Sequence, residues 1–294
     1  MLMFNKHFKT FEEYSKLYNL DFTGVDHRYF EFKSGGHNLI GQTFIPKEYR
    51  ATLIIVHGFL QHSGTFGKFI KYMLDNRFAV AMFDLPGHGL SDGDQTVIDS
   101  FSQYSLALDG FCKIIKPQMH GPYNIIGHSM GSAVVMDYLT CHPENLVDKI
   151  ILAAPLVRCT LWTLSKIGCA IYSPFMKNIF RVFRNISSDK EYVRFVKHSD
   201  PLQAKFISLK WVKAMFEWDK KIAAAADINK PLLVIQGTKD TTVAWKYNLP
   251  FIMAKFKNTE IEFIENAQHE FFNEVPQYRD QAFSIIRDYL VMGK

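Results

Sequence analysis

The chain has 294 residues, 48% of them apolar, which suffices for a sizeable core and is long for a single domain unless an α/β fold carries an insertion. No charge-free stretch approaches the ~20 apolar residues of a membrane span, Phe11-Glu12-Glu13-Tyr14 stands where a cleavable leader needs an apolar core, and the four cysteines form no Cys-x-x-Cys pair. A spanning protein, a secreted precursor and a disulfide scaffold are not expected; reduced thiols and a cytoplasmic setting are.

Residues 27–33 and 38–45 read as two strands joined at the turn Ser34-Gly35-Gly36. The β-rich run 51–56 ends at His57-Gly58, a helical pattern follows at 65–76, and the run 78–83 ends at Asp84. A helix at 98–116, a strand at 122–126, a helix at 130–141 and a strand at 147–153 come next. After a break, strands at 231–236 and 259–264 alternate with helices at 242–256 and 276–291. Strand–helix alternation with continuous apolar strands implies a mostly parallel central sheet flanked by helices, an α/β class. Ligands of such sheets bind at the carboxyl ends of the strands, where His57-Gly58, Asp84, Ser129, Ala154-Pro155 and Asp240 fall.

The rhythm breaks between Val157 and Lys221, a segment without β-rich runs. It is expected to be a helical cap (157–221) inserted after the sixth strand into a core of residues 1–156 and 222–294; ordinary surface helices are the plainer reading. This segment holds 13 Lys and Arg against 5 Asp and Glu, a net of +8, whereas the rest of the chain is −3, so the overall +5 comes from the insertion. Ser173 to Arg184 reads as one of its helices, with Ser173 as N-cap, Pro174 in the first turn and Met176, Ile179, Phe180 and Phe183 on one face. Lys177, Arg181 and Arg184 line another face. Such a helix either rests on a membrane surface or packs on the core with its basic side solvated. No nucleic-acid-binding module accompanies the charge, so no nucleic-acid partner is expected.

Gly127-His128-Ser129-Met130-Gly131 lies between an apolar strand and a helix, the setting of a nucleophile elbow. A serine needs a base to take its proton, and the base needs an acid to fix its tautomer; on this architecture the order is Ser, Asp or Glu, His. Asp240 follows the strand 231–236, and His269 follows the strand 259–264 and is the only histidine after Asp240. Asp189 and Asp200, inside the insertion, are weaker rivals for the acid. His269-Glu270 does not open a zinc-protease motif, since Asn273 holds the place of the second histidine. Two backbone N–H groups are expected to form the oxyanion hole: that of Met130, at the positive end of a helix, and that of Phe59, after His57-Gly58. The reaction needs neither metal nor cofactor.

His57-Gly58…His62-Ser63, Asp84-Leu85-Pro86-Gly87-His88-Gly89-Leu90-Ser91, the serine pentapeptide, Ala154-Pro155, Gly237-Thr238-Lys239-Asp240 and the late His269 together resemble the α/β-hydrolases of the monoacylglycerol lipase and lysophospholipase group, the serine aminopeptidase-type hydrolases. The resemblance runs from about residue 30 to the C-terminus and weakens in the insertion. It implies an α/β-hydrolase fold, Ser129, Asp240 and His269 as catalytic triad, and a single-chain lipid ester, lysophospholipid or monoacylglycerol-like, as substrate. Ser129 at the elbow sets the chain apart from epoxide hydrolases and haloalkane dehalogenases, which place an aspartate there. Phe59-Leu60 stand where monoacylglycerol lipases of this group usually carry small residues, and are expected to narrow or reshape the acyl pocket. A thioesterase, a small-ester carboxylesterase and a non-catalytic ligand-binding member of the fold remain open alternatives, as do peripheral membrane contact and the oligomeric state.

Overall fold

The computed structural model describes residues 7–145 and 147–292. In chain order the elements are α1 (Phe11–Tyr18), β1 (Val25–Ser34), β2 (His37–Pro46), β3 (Ala51–Val56), α2 (Gly67–Asp75), β4 (Phe78–Phe83), α3 (Ser102–Ile115), β5 (Tyr123–His128), α4 (Met130–Cys141), β6 (Ile150–Ala153), α5 (Trp162–Tyr172), β7 (Asn178–Phe180), α6 (Lys190–His198), β8 (Phe206–Ser208), α7 (Leu209–Ala224), β9 (Leu232–Gly237), α8 (Trp245–Lys255), β10 (Thr259–Ile264) and α9 (Pro276–Val291). Eight strands make one sheet in the order β1-β2-β4-β3-β5-β6-β9-β10. The β1–β2 and β2–β4 pairs are antiparallel; every pair from β4 to β10 is parallel.

The eight strands expected from the apolar runs all form. Every residue of β3, β4 and β9 is buried, the signature of parallel strands covered on both faces. One cluster of buried side chains joins the sheet to α3, α4, α7 and α8, and a second joins it to α1, α2 and α9. The edge strand β10 is only half covered and carries Glu260 and Glu262, charges that discourage pairing with another chain. Helix α1 was not anticipated. It is short, is capped by Thr10 Oγ1 accepting from Glu13 N–H at 3.2 Å, and buries little beyond Tyr14 and Tyr18.

The insertion differs from the expected arrangement. It contains three helices, but Ser173–Arg184 is not one of them. Ser173 caps the end of α5, its N–H donating to the Cys169 carbonyl at 3.0 Å, so Pro174 follows a helix instead of opening one. Asn178–Phe180 then pairs as β7 with β8, Phe180 packing on Phe206 at 4.7 Å. The helical spacing of Met176, Ile179 and Phe180 is overridden by this non-local pairing, and Lys177, Arg181 and Arg184 share no helix face.

Helix α7 is fixed to the core. The carboxylate of Asp137, fully buried on α4, accepts from Ser105 Oγ (2.5 Å), Trp218 Nε1 (3.2 Å) and Lys221 Nζ (2.7 Å). Arg158 and Asp219 add a bidentate pair at 2.8 and 3.1 Å. Asp137→Ala leaves two buried donors and one half-exposed ammonium without their acceptor and is expected to cost about 3 kcal/mol of stability. Chemical denaturation checks this; an unchanged midpoint would refute the anchoring role.

Candidate active site

The turn after β5 is shaped by crowding. A Cβ on Gly127 would strike the carbonyl of Gly131, and one on Gly131 the carbonyl of Val56. With both glycines in place, α4 starts hard against β3, and Ser129 is left at φ 53°, ψ −115°. That conformation is unfavourable for a residue with a Cβ and persists because its surroundings over-determine it. Ser129 N–H donates to the Ala153 carbonyl at 2.8 Å, and Ser129 C=O accepts from Leu156 at 3.1 Å.

Three strand ends converge there. Ser129 leaves β5, Asp240 lies on the loop after β9, and His269 on the loop after β10. His269 Nε2 is 2.9 Å from Ser129 Oγ, and His269 Nδ1 is 2.7 Å from Asp240 Oδ2. Asp240 Oδ1 accepts from the N–H groups of Thr242 (2.7 Å) and Val243 (3.2 Å). All three residues are buried. Burial opposes the charge on His269, but the adjacent Asp240 carboxylate outweighs it and holds the imidazole above its ordinary pKa. Burial likewise opposes ionisation of Asp240; His269 and the two backbone donors prevail and hold it below the usual range. The sequence-assigned residues therefore meet. The rival acids do not join them: Asp189 caps α6, and Asp200 accepts from Tyr18 Oη (2.7 Å) and faces His62 Nε2 (3.0 Å).

The loop after β3 lies against the serine, since a Cβ on Gly58 would sit 3.1 Å from that of Ser129. Gln61, which the sequence reading passed over, organises this loop. Its Oε1 accepts from Gly58 N–H at 2.7 Å and lies 2.8 Å from His128 Nδ1, while its Nε2 donates to Glu270. His128 Nε2 faces the His269 carbonyl at 3.1 Å, which closes a ring of contacts around the elbow. Burial pushes the Glu270 carboxyl up to about 7. The signal was present in that Gln61 sits within the His57–Ser63 motif and Glu270 adjoins His269, but neither spacing states a contact.

A cavity of about 540 Å³ opens onto Ser129 and His269, within the size range of small-molecule sites. Leu156 and Val243 from the core and Val196, Leu209, Met215 and Phe216 from the insertion give it apolar walls. Phe59 lines it as well, but its ring is stacked on Trp211 with centroids 3.8 Å apart. The bulk expected to narrow the pocket is thus joined to the wall formed by α7.

Residues 47–276 match the family described as serine aminopeptidase, S33. The chain belongs to this family. Among the proteins similar to it is the monoglyceride lipase homolog of monkeypox virus, 24% identical over 249 residues that cover 82% of this chain and 89% of the relative. Phospholipase YtpA of Bacillus subtilis is 24% identical over 249 residues, covering 81% and 94%. In structure, a soluble variant of monoglyceride lipase from Saccharomyces cerevisiae, in complex with a substrate analog, superposes with a TM-score of 0.77 at 20% identity, covering 92% of this chain and 96% of that one. The α/β-hydrolase fold implied by the sequence motifs is borne out.

Because Asp240 raises the His269 pKa, Asp240→Asn should lower it, leaving burial as the dominant influence. Titration of the His269 ring by NMR should place the wild-type midpoint above 6.5 and the variant's below it. Coincident midpoints would contradict the coupling.

Proposed function

We propose that this chain is a serine hydrolase that cleaves the carboxylic ester of a single-chain lipid, lysophospholipid or monoacylglycerol-like, through an acyl-enzyme on Ser129. The observation that carries this reading is the continuous hydrogen-bond path Ser129–His269–Asp240 opening onto an apolar cavity. The relatives named as a monoglyceride lipase homolog and a phospholipase support the substrate class.

In this mechanism Ser129 Oγ attacks the ester carbonyl carbon as His269 Nε2 takes the hydroxyl proton. Asp240 keeps Nδ1 protonated and stabilises the imidazolium. The N–H groups of Met130, at the start of α4, and of Phe59 hold the oxyanion. The tetrahedral intermediate collapses, the ester C–O bond breaks, and Nε2 returns the proton to the leaving alcohol. Water then attacks the acyl-enzyme, gives one proton to His269, and releases the acid while Ser129 Oγ regains its proton. Residues 157–221 serve as the cap over a core of 1–156 and 222–294, with α7 continuing to Ala224.

Ser129→Ala should fold normally and lose about 10⁴-fold or more in turnover, and Asp240→Asn should lose somewhat less. Labelling by a fluorophosphonate probe followed by peptide mapping, and an ester panel of increasing acyl length, test this. Substantial activity in Ser129→Ala would refute the nucleophile, and equal hydrolysis of short and long acyl esters would refute the lipid substrate.

The same reading brings the cap to a membrane surface. Leu164, Phe175, Phe180 and Val182 are 63%, 86%, 78% and 77% exposed on a segment of net +8, which matches an apolar surface bearing negative charge. No helix of the described residues is long and apolar enough to cross a membrane. Phe175→Asp should weaken sedimentation with phosphatidylserine-containing vesicles severalfold. Identical partitioning of wild type and variant would exclude that contact.

A further inference from the structure

Arg181 and Arg184, on the strand of chain that follows β7, both line the cavity that holds Ser129. Arg184 Nη1 donates to Thr160 Oγ1 at 3.1 Å, and Thr160 Oγ1 donates to the carbonyl of Thr241 at 2.8 Å. The next residue, Thr242, donates its N–H to Asp240 at 2.7 Å. This chain of contacts ties the guanidinium to the loop that carries the triad acid. Arg181 Nη1 donates to Gln203 Oε1 at 2.5 Å, and its guanidinium packs 4.3 Å over the Phe183 ring. Burial lowers Arg181 to about 10, a penalty that nearby Tyr192 and Asp200 partly offset.

Among the described residues neither arginine forms an ion pair. Arg158, at the base of the same insertion, is by contrast neutralised by Asp219 at 2.8 Å. A cation set into a largely apolar wall ordinarily has a carboxylate beside it. The carboxyl among the described lining residues, that of Glu270, is engaged elsewhere, accepting from Gln61 and from Asn273. Two guanidinium groups therefore line the substrate space without a carboxylate in ion-pair contact, Asp200 reaching Arg181 only through the Gln203 amide. Their planar forks match the oxygens of a phosphate, whereas a neutral glycerol head offers them only weak acceptors. Arg184 is exposed, so a head group held there stays at the wet end of the cavity while the acyl chain lies along the apolar walls.

We propose that the substrate is a monoacyl glycerophosphate, a lysophospholipid whose phosphate is held by Arg184 with Arg181 beside it, in preference to a neutral monoacylglycerol. The proposal rests on the serine-hydrolase reading above and adds the chemistry of the head group.

The test compares 1-decanoyl-glycerol with 1-decanoyl-glycerol 3-phosphate, each below its critical micelle concentration and without vesicles, so that attraction to a charged surface plays no part. Wild type is expected to favour the phosphate at least tenfold in kcat/KM. Arg184→Gln should reduce that preference about tenfold, mainly through KM, and Arg184→Lys, which keeps the charge but loses the fork, should restore part of it. Arg181→Gln should reduce it as well. Lys213→Gln removes one charge from an exposed site on α7 outside the cavity and should not alter the preference. Glycerol 3-phosphate alone should compete with a neutral p-nitrophenyl ester in wild type and compete less in Arg184→Gln. A wild-type preference for the neutral lipid, a preference untouched by Arg184→Gln, or an equal loss in Lys213→Gln would each overturn the proposal. Fluorophosphonate labelling separates the two levels. Ser129 labelled without head-group preference removes the phosphate site alone, whereas an unlabelled, inactive and folded protein removes the serine-hydrolase reading with it.

Discussion

The contact between Gly131 and the carbonyl of Val56 fixes the distance at which helix α4 can start from strand β3, and the working geometry is measured from it. A side chain at 131 would force these two backbones apart, one at 127 would push β5 away from the start of α4, and either would let Ser129 relax out of its strained conformation. The strain is maintained by hydrogen bonds on both sides of the serine, to Ala153 and from Leu156, and by Ser132 Oγ donating to Gly127 C=O at 2.6 Å. Because β3 and β5 are neighbours in the sheet, the same close approach brings the Gly58–Gln61 loop against the serine. Parallel order then presents the loops after β9 and β10 on the same side.

Loops at strand ends need fixing, and here buried carboxylates do much of it. Asp84 accepts from Ser63 N–H and Oγ, each at 2.7 Å, and from Leu90 N–H at 2.8 Å, joining the loops after β3 and β4. Asp200 draws together Tyr18 of α1, His62 and the chain beyond α6. Glu274 accepts from Gln268 N–H (3.1 Å) and Ser188 N–H (2.8 Å), so the loop bearing His269 is held to the insertion. A buried carboxylate is tolerable only when its oxygens are satisfied, which restricts each loop to the few conformations that satisfy them. Several of these anchors join residues 157–221 to the rest of the chain, which ties that segment down at more than one point.

What was legible in the sequence follows from range. The strands announce themselves as continuous apolar runs because burial on both faces is a local demand on every residue, and β3, β4 and β9 meet it completely. The order of Ser129, Asp240 and His269 is equally legible, because each stands just past a recognisable strand on a fold whose chain order is restricted. Gln61 was invisible: an amide that joins Gly58, His128 and Glu270 has no periodicity, and its importance lies in contacts made 67 and 209 residues away. The cap hairpin failed for a related reason. Three-residue strands leave no pattern of their own, and the partner of Phe180 lies at Phe206, so spacing alone favoured a helix that the pairing of β7 with β8 overrides. The two arginines were noticed, but as a stripe on that helix, and their shared place at the cavity emerges once the hairpin is formed.

The separation of charge between insertion and core has a mechanical consequence. A body of net −3 carrying an insertion of net +8 is an electric dipole as well as a weak cation. In the field of an anionic surface it feels a torque within about a Debye length, roughly 8 Å at physiological ionic strength. The torque draws residues 157–221, which supply part of the cavity lining, toward such a surface. Added salt shortens the reach of that torque, so its strength is set by the medium as well as by the protein.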